Sequence, residues 1–167
     1  MLLIGPFSPS LAGSELSKRR GELEPGLPET SIERVAAALV VVRAAVRSGE
    51  ITAAHDVSDG GLACALAEMA IASGVGVESD LSELIEATGC EPVEALFGEG
   101  PGGIVLSGGE AAMERLRSQA GAAGVACTRV GTAQGEKVRL LAGETEISVP
   151  VEAAQDAWLS LGPSMAS

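Results

Sequence analysis

The stretch richest in chemistry is Ala54-His55-Asp56-Val57-Ser58-Asp59-Gly60-Gly61-Leu62. It combines the sole histidine with two carboxylates, a hydroxyl and paired glycines. An apolar run precedes it and a helical pattern follows it, so it turns a strand into a helix. Asp59 is positioned to cap that helix, and Gly60-Gly61 let backbone and ligand approach closely. The first helical N–H groups would then face out of the turn, as a phosphate site requires. Asp56 and Asp59 are candidate Mg²⁺ ligands through bound water. The same residues also make an ordinary strand–helix turn with an Asp cap, and the residues alone leave both readings open. His55 has no recognisable Ser or Cys nucleophile to serve, so it reads as a turn histidine, and no residue is assigned a catalytic role.

Two further segments are candidates. Gly13-Ser14-Glu15 follows an apolar strand and precedes helix-like sequence. It could aim backbone N–H groups and a hydroxyl at a ligand, or Ser14 could simply cap the helix. Phe97-Gly98-Glu99-Gly100-Pro101-Gly102-Gly103 is a glycine-rich loop before a strand. It lacks the Lys-Ser/Thr ending of a Walker A loop. Its glycines either admit a substrate to the backbone or form a plain connection. Glu68, inside an otherwise apolar helix, reads as an edge residue.

These segments need elements to hold them. Leu2–Ile4 predicts a buried strand, with a loop over Pro6–Gly13, a short helix over Ser14–Arg19 and a loop over Gly21–Pro28. Thr30 and Glu33 form a capping-box pattern for a long helix. Its apolar face is Ile32, Val35, Leu39, Val42 and Val46, and Gly49 closes it. Ile51–Ala54 predicts a strand, and the helix after the Gly-Gly turn carries Leu62, Leu66, Met69 and Ala70 on one face up to Gly74. Val75–Val77 predicts a strand, with helical pieces at Ser82–Thr88 and Pro92–Phe97. Gly103–Ser107 reads as a strand and Glu110–Ala120 as a helix bearing Met113, Leu116 and Ala120. Val125–Val130, Val138–Leu141 and Glu146–Val149 read as strands. Pro150 opens a last helix with Val151, Ala154, Trp158 and Leu161 on one face. Residues 1–161 form one expected domain and 162–167 a frayed tail. The expected fold is a single layered α/β (α+β) domain, a mixed sheet of about five to seven strands packed with helices.

Composition narrows the function. Of 167 residues, 46% are hydrophobic, which supports one real core. Two Phe, one Trp and no Tyr leave the packing to Ala, Val, Leu and Ile. The net charge of −12 lacks the basic stripe that a nucleic-acid binder needs and repels anionic lipid. Cys64, Cys90 and Cys127 are odd in number and far apart. This argues against a disulfide framework or a zinc site and for a reducing, cytoplasmic setting. Cys64 and Cys127 read as small core residues. No apolar run is long enough to span a membrane, and the apolar start reads as a strand rather than a signal peptide. A chain that opens in mid-strand suggests a piece of something longer.

Taken in order, Gly13-Ser14-Glu15-Leu16, the His55–Leu62 run, Ala65-Leu66-Ala67-Glu68-Met69-Ala70, Phe97-Gly98-Glu99 and Val130-Gly131 resemble one family. It is the phosphoribosylformylglycinamidine synthases, and specifically the C-terminal domain of their large, synthetase subunit. Shorter versions of these motifs occur in aminoimidazole ribonucleotide synthetase, selenophosphate synthetase, thiamine-monophosphate kinase and a hydrogenase maturation protein. The resemblance runs from about Leu3 to Trp158. It implies a fold like the C-terminal domain of aminoimidazole ribonucleotide synthetase, and an ATP- and Mg²⁺-dependent ligase of purine biosynthesis. Formylglycinamide ribonucleotide would be amidated with glutamine-derived ammonia. The implied partners are the N-terminal half of the same enzyme, which carries most catalytic residues, and a glutaminase component. Self-association is also expected to be open to it, and the chain alone is expected to be inactive. Phosphate or substrate contacts would fall to Gly13, Ser14, Asp56, Ser58, Asp59, Gly60 and Gly61, with Phe97, Gly98 and Glu99 near the cleft. Two departures stand out: Ala12 where the family has Gly, and Gly100 where Ser is common. Two rival expectations are a related ATP-dependent enzyme and a non-catalytic subunit-packing domain.

Overall fold

The structure, a computed structural model, describes residues 1–22 and 29–164. Most of the expected Gly21–Pro28 loop and the last three residues of the expected tail lie outside them. The described residues form eight strands in two four-stranded sheets, with seven helices.

The first sheet joins β1 (Leu2–Ile4), β2 (Ile51–Asp56), β4 (Ile104–Gly108) and β5 (Cys127–Arg129) in the order β2-β4-β1-β5. Every pairing in it is antiparallel. The second joins β3 (Val77–Asp80), β6 (Thr132–Ala133), β7 (Lys137–Ala142) and β8 (Thr145–Pro150) in the order β6-β3-β7-β8. Only β3 and β7 run parallel. The mixed α/β character is as expected, but two sheets replace the single one. The reason is visible in β1. Successive strand side chains point to opposite faces, and here both faces are buried. Leu2 and Ile4 pack with Ala38, Val41 and Val42 of α2 (Ile32–Arg47) and Leu116 of α6 (Glu110–Ala122). Leu3 packs instead with Leu62 and Leu66 of α3 (Gly61–Ser73). Beyond α3 the same core continues to Val77, Val138 and Leu140 of the second sheet. The layers therefore run helices, sheet, α3, sheet. α3 is buried on two sides, which explains its nearly uninterrupted small and apolar sequence.

Four local expectations are corrected. The cap of α2 is Ser31, whose Oγ accepts from the Arg34 N–H at 3.3 Å, so the capping pattern starts one residue later than Thr30. The buried side of α2 is Ala38, Val41, Val42 and Ala45, whereas Ile32 is 76% exposed and Leu39 and Val46 are exposed too. Close approach of the helix to the sheet selects its small residues. The strand expected at Val75–Val77 begins at Val77, and Val75 is exposed. The last helix, α7 (Val151–Ser164), runs two residues past Gly162.

Candidate functional site

Three of the singled-out segments meet at one carboxylate. Glu99 follows α5 (Pro92–Phe97), and its backbone exchanges hydrogen bonds with Ser10 at 2.8 and 3.1 Å. Its Oε1 accepts from the Gly60 N–H and from the Glu15 N–H, each at 2.8 Å. The two donors open α3 and α1 (Glu15–Arg20), which carry orphan N–H groups and the positive ends of helix dipoles. Glu99 thus neutralises two helix starts that lie 84 and 39 residues away in the chain.

That geometry overturns the expected cap at Asp59. The residue at the N-cap of α3 is Gly60, in a left-handed conformation at φ 81°, and no side chain of its own segment caps the helix. Asp59 is exposed and forms no hydrogen bond or ion pair with described residues. Ser14 fulfils the cap reading: it is fully buried and its Oγ accepts from the Ser17 N–H at 3.2 Å. Gly13 precedes it in an exposed left-handed turn. Gly61 is required by packing, since a Cβ there would lie 2.7 Å from the Gly98 carbonyl oxygen and 2.8 Å from the Phe97 carbonyl carbon. The loop glycines are likewise approached by the chain itself: a Cβ at Gly100 would lie 2.7 Å from the Ser8 carbonyl oxygen. Glycine rather than serine at this position suits the local path of the loop.

Asp56 and Ser58 are exposed to solvent, Asp56 with its side chain 73% exposed. Among the described residues no three His, Cys, Asp or Glu side chains converge as a metal site. His55 lies on β2, with Nδ1 2.7 Å from the Asp56 carbonyl oxygen and Nε2 3.3 Å from Glu68 Oε2. Glu68 is an edge residue of α3 that faces a neighbour.

Beside the junction lies an open cleft of about 420 Å³. Its apolar wall includes Leu16, Ile71, Phe97 and Trp158, while Glu15, Asp59 and Glu68 stand against Arg19, the one cation among the described residues that line it. Cys64 opens into it and is exposed, against the expectation of a core thiol, because it sits on the cleft side of α3. Partial burial, then the Glu68 and Glu99 carboxylates, push its thiol pKa up. Cys127, half-buried on β5, is also raised, chiefly by burial. Sequence reasoning missed this cleft. Its one available signal was the sole tryptophan on a helix that also carries polar residues. A larger recess, about 490 Å³, is lined by residues of β3 and β7 together with Arg129 of β5 and Glu83. Arg139 pairs there with Glu146, and the Gln134 amide donates to Glu78, so it has the features of a polar surface.

A family model described as "AIR synthase related protein, C-terminal domain" matches residues 1–142. The chain belongs to that family. The matched span contains the whole Glu99 junction and leaves out β8 and α7, including Trp158. Among curated relatives, the phosphoribosylformylglycinamidine synthase subunit PurL of Thermococcus gammatolerans is 40% identical over 69% of this chain and 16% of its own length. The PurL of Moorella thermoacetica is 32% identical over 95% of this chain and 21% of its own length. The chain therefore spans about one fifth or less of these relatives. Thermotoga maritima PurL complexed with FGAR superposes with a TM-score of 0.72 at 19% identity, over 92% of this chain and 27% of that one. Escherichia coli HypE, a hydrogenase maturation protein, gives a TM-score of 0.56 at 20% identity, over 90% of this chain and 48% of that one. Both structures share the fold.

Proposed function

We propose that this chain is the C-terminal domain of a phosphoribosylformylglycinamidine synthase, and that it shapes one wall of the synthase's active region without supplying the catalytic groups. The observation that carries this reading is the Glu99 junction: the Gly13–Leu16, His55–Leu62 and Phe97–Glu99 segments, far apart in sequence, are locked together by one carboxylate. The identities to PurL proteins support the same reading. Thermotoga maritima PurL has been described complexed with ATP, with ADP and with FGAR, which supports an ATP-dependent reaction on that substrate.

In that reaction, a ligase step, ATP phosphorylates the amide oxygen of formylglycinamide ribonucleotide. Ammonia from a glutaminase component then displaces phosphate to give the amidine. Mg²⁺ would offset charge on the phosphoryl oxygens. The donor set for Mg²⁺ and the catalytic base belong to the remainder of the enzyme. This chain holds its own segments rigid: Ser14 and Glu99 satisfy the helix starts, and Gly60 and Gly61 keep the turn tight. Phosphate contacts, where this domain makes them, fall to the exposed residues Gly13 and Ser58, outside the acidic cleft. The setting is cytoplasmic, and the N-terminal half of the enzyme is the principal partner.

The test is reconstitution. The purified chain is mixed with the remainder of the enzyme, and formation of ADP and formylglycinamidine ribonucleotide is followed with ammonia as nitrogen source. Turnover that requires both polypeptides is the expected result. A remainder that turns over at the same rate without this chain would reject the proposal.

A further inference from the structure

The cleft beside the junction has a composition that selects its occupant. Its wall is apolar and includes Trp158, which is 50% exposed, and Ile71. Its rim presents Glu15, Asp59 and Glu68 against Arg19 alone among the described residues. Glu15 is held by Lys18 at 3.0 Å, and Glu68 lies against His55 at 3.3 Å. Asp59 has no partner among the described residues. A phosphate entering here would face three carboxylates, and Glu99 already occupies the Gly60 and Glu15 N–H groups that would otherwise attract it.

An apolar segment with a basic side chain meets the opposite situation. Its apolar side chains gain burial on Trp158 and Ile71. Its cation gains a charge-assisted bond to Asp59 and the face of the Trp158 ring. The chain's own net charge of −12 makes a second copy a poor candidate. The relatives are more than four times as long as this chain, so most of the polypeptide available to fill the cleft lies outside it. We infer that the Trp158 cleft is a docking site for an apolar protein segment bearing a basic side chain, contributed from outside this chain. The inference rests on the proposed synthase reading only for the origin of that segment.

Two native reporters sit in the cleft: the sole tryptophan and an exposed thiol. The 167-residue chain is titrated with the peptide acetyl-Leu-Arg-Leu-Leu-Lys-Leu-amide, with its counterpart carrying Glu in place of Arg and Lys, and with Mg-ATP. Trp158 fluorescence and the rate of Cys64 alkylation are followed in a Cys90→Ser, Cys127→Ser background. The basic peptide is expected to change the fluorescence saturably and to slow alkylation, and the acidic peptide to bind about tenfold more weakly. Asp59→Asn or Glu68→Gln is expected to weaken the basic peptide about threefold to fivefold, the scale of one exposed charge contact. The inference is overturned if the acidic peptide binds as tightly, if saturating basic peptide leaves Cys64 unprotected, if neither peptide gives a saturable change, or if Mg-ATP protects Cys64 better than the peptide. Loss of peptide binding with reconstituted turnover intact would remove this inference alone. Peptide binding without turnover would remove only the synthase reading.

Discussion

The Glu99 junction and the Trp158 cleft share Gly60 and Glu15 but treat their polar groups in opposite ways. At the junction three backbone donors meet side-chain acceptors within the chain: Glu99 takes two N–H groups and Ser14 takes a third. In the cleft the acidic groups stand on a rim and Asp59 has no described partner. The first arrangement contributes to folding. The second leaves charge and apolar surface uncompensated, and such surface marks an interaction site. The Gly60 and Glu15 N–H groups, which point outward as an anion site would need, are each taken by a side chain from a remote loop.

Substitutions separate the two regions. The largest effect is expected for Gly61→Ala, where a side chain would strike the backbone at Phe97 and Gly98 and sit at φ 70°. Overpacking and left-handed strain together should cost about 3–5 kcal/mol in chemical denaturation. Loss of less than about 1 kcal/mol would show that α5 can retreat and that the junction is loose. Next comes Glu99→Ala, which strips two helix starts of a charged acceptor and should cost about 2–4 kcal/mol. Glu99→Gln keeps an acceptor oxygen and should recover more than half of that loss. Equal losses for the two variants would mean that charge, rather than the acceptor, holds the junction.

Trp158→Ala removes a half-exposed side chain from the cleft wall and should lower stability by only about 1 kcal/mol. Asp59→Ala should change stability by less than about 0.5 kcal/mol, as for an unpartnered surface group. A loss near 1 kcal/mol, the usual size for an N-cap, would restore the capping role that the structure denies it. The smallest effect concerns pH. Cys64 is harder to ionise in the folded chain than an ordinary thiol, chiefly through burial and then through Glu68 and Glu99. Its contribution to stability is present below the ordinary thiol range and is lost as pH rises, because the unfolded chain releases that proton first. Its alkylation rate should reach half-maximum at a higher pH than that of an unstructured cysteine peptide. A midpoint at or below the peptide's would show that neither burial nor the carboxylates disfavour its thiolate.

Periodicity placed most elements where they occur. The helices at Ser82–Thr88 and Pro92–Phe97 coincide with their expected bounds, and α3 buries Leu62, Leu66, Met69 and Ala70 as its spacing requires. In each case the pattern is local: a turn signal, a cap and a run of apolar residues at helical spacing. The expectations that changed all depend on neighbours. Ile32 and Leu39 look like a core stripe on α2, yet the sheet comes close enough that Ala38 and Ala45 are buried instead. Cys64 looks buried within α3, but the side of α3 that carries it borders an open cleft.

The sequence by itself determined the class of fold and the order of nearly all elements, singled out the three segments, and offered Ser14 as a cap. Those features follow from hydrophobic period, turn chemistry and short-range hydrogen bonds. Only the tertiary structure decided that the strands divide into two sheets around α3, that Glu99 rather than Asp59 neutralises the helix starts, and that Trp158 faces an acidic cleft. Each depends on contacts between residues tens of positions apart, and local spacing carries no information about which distant side chain will reach a given N–H group.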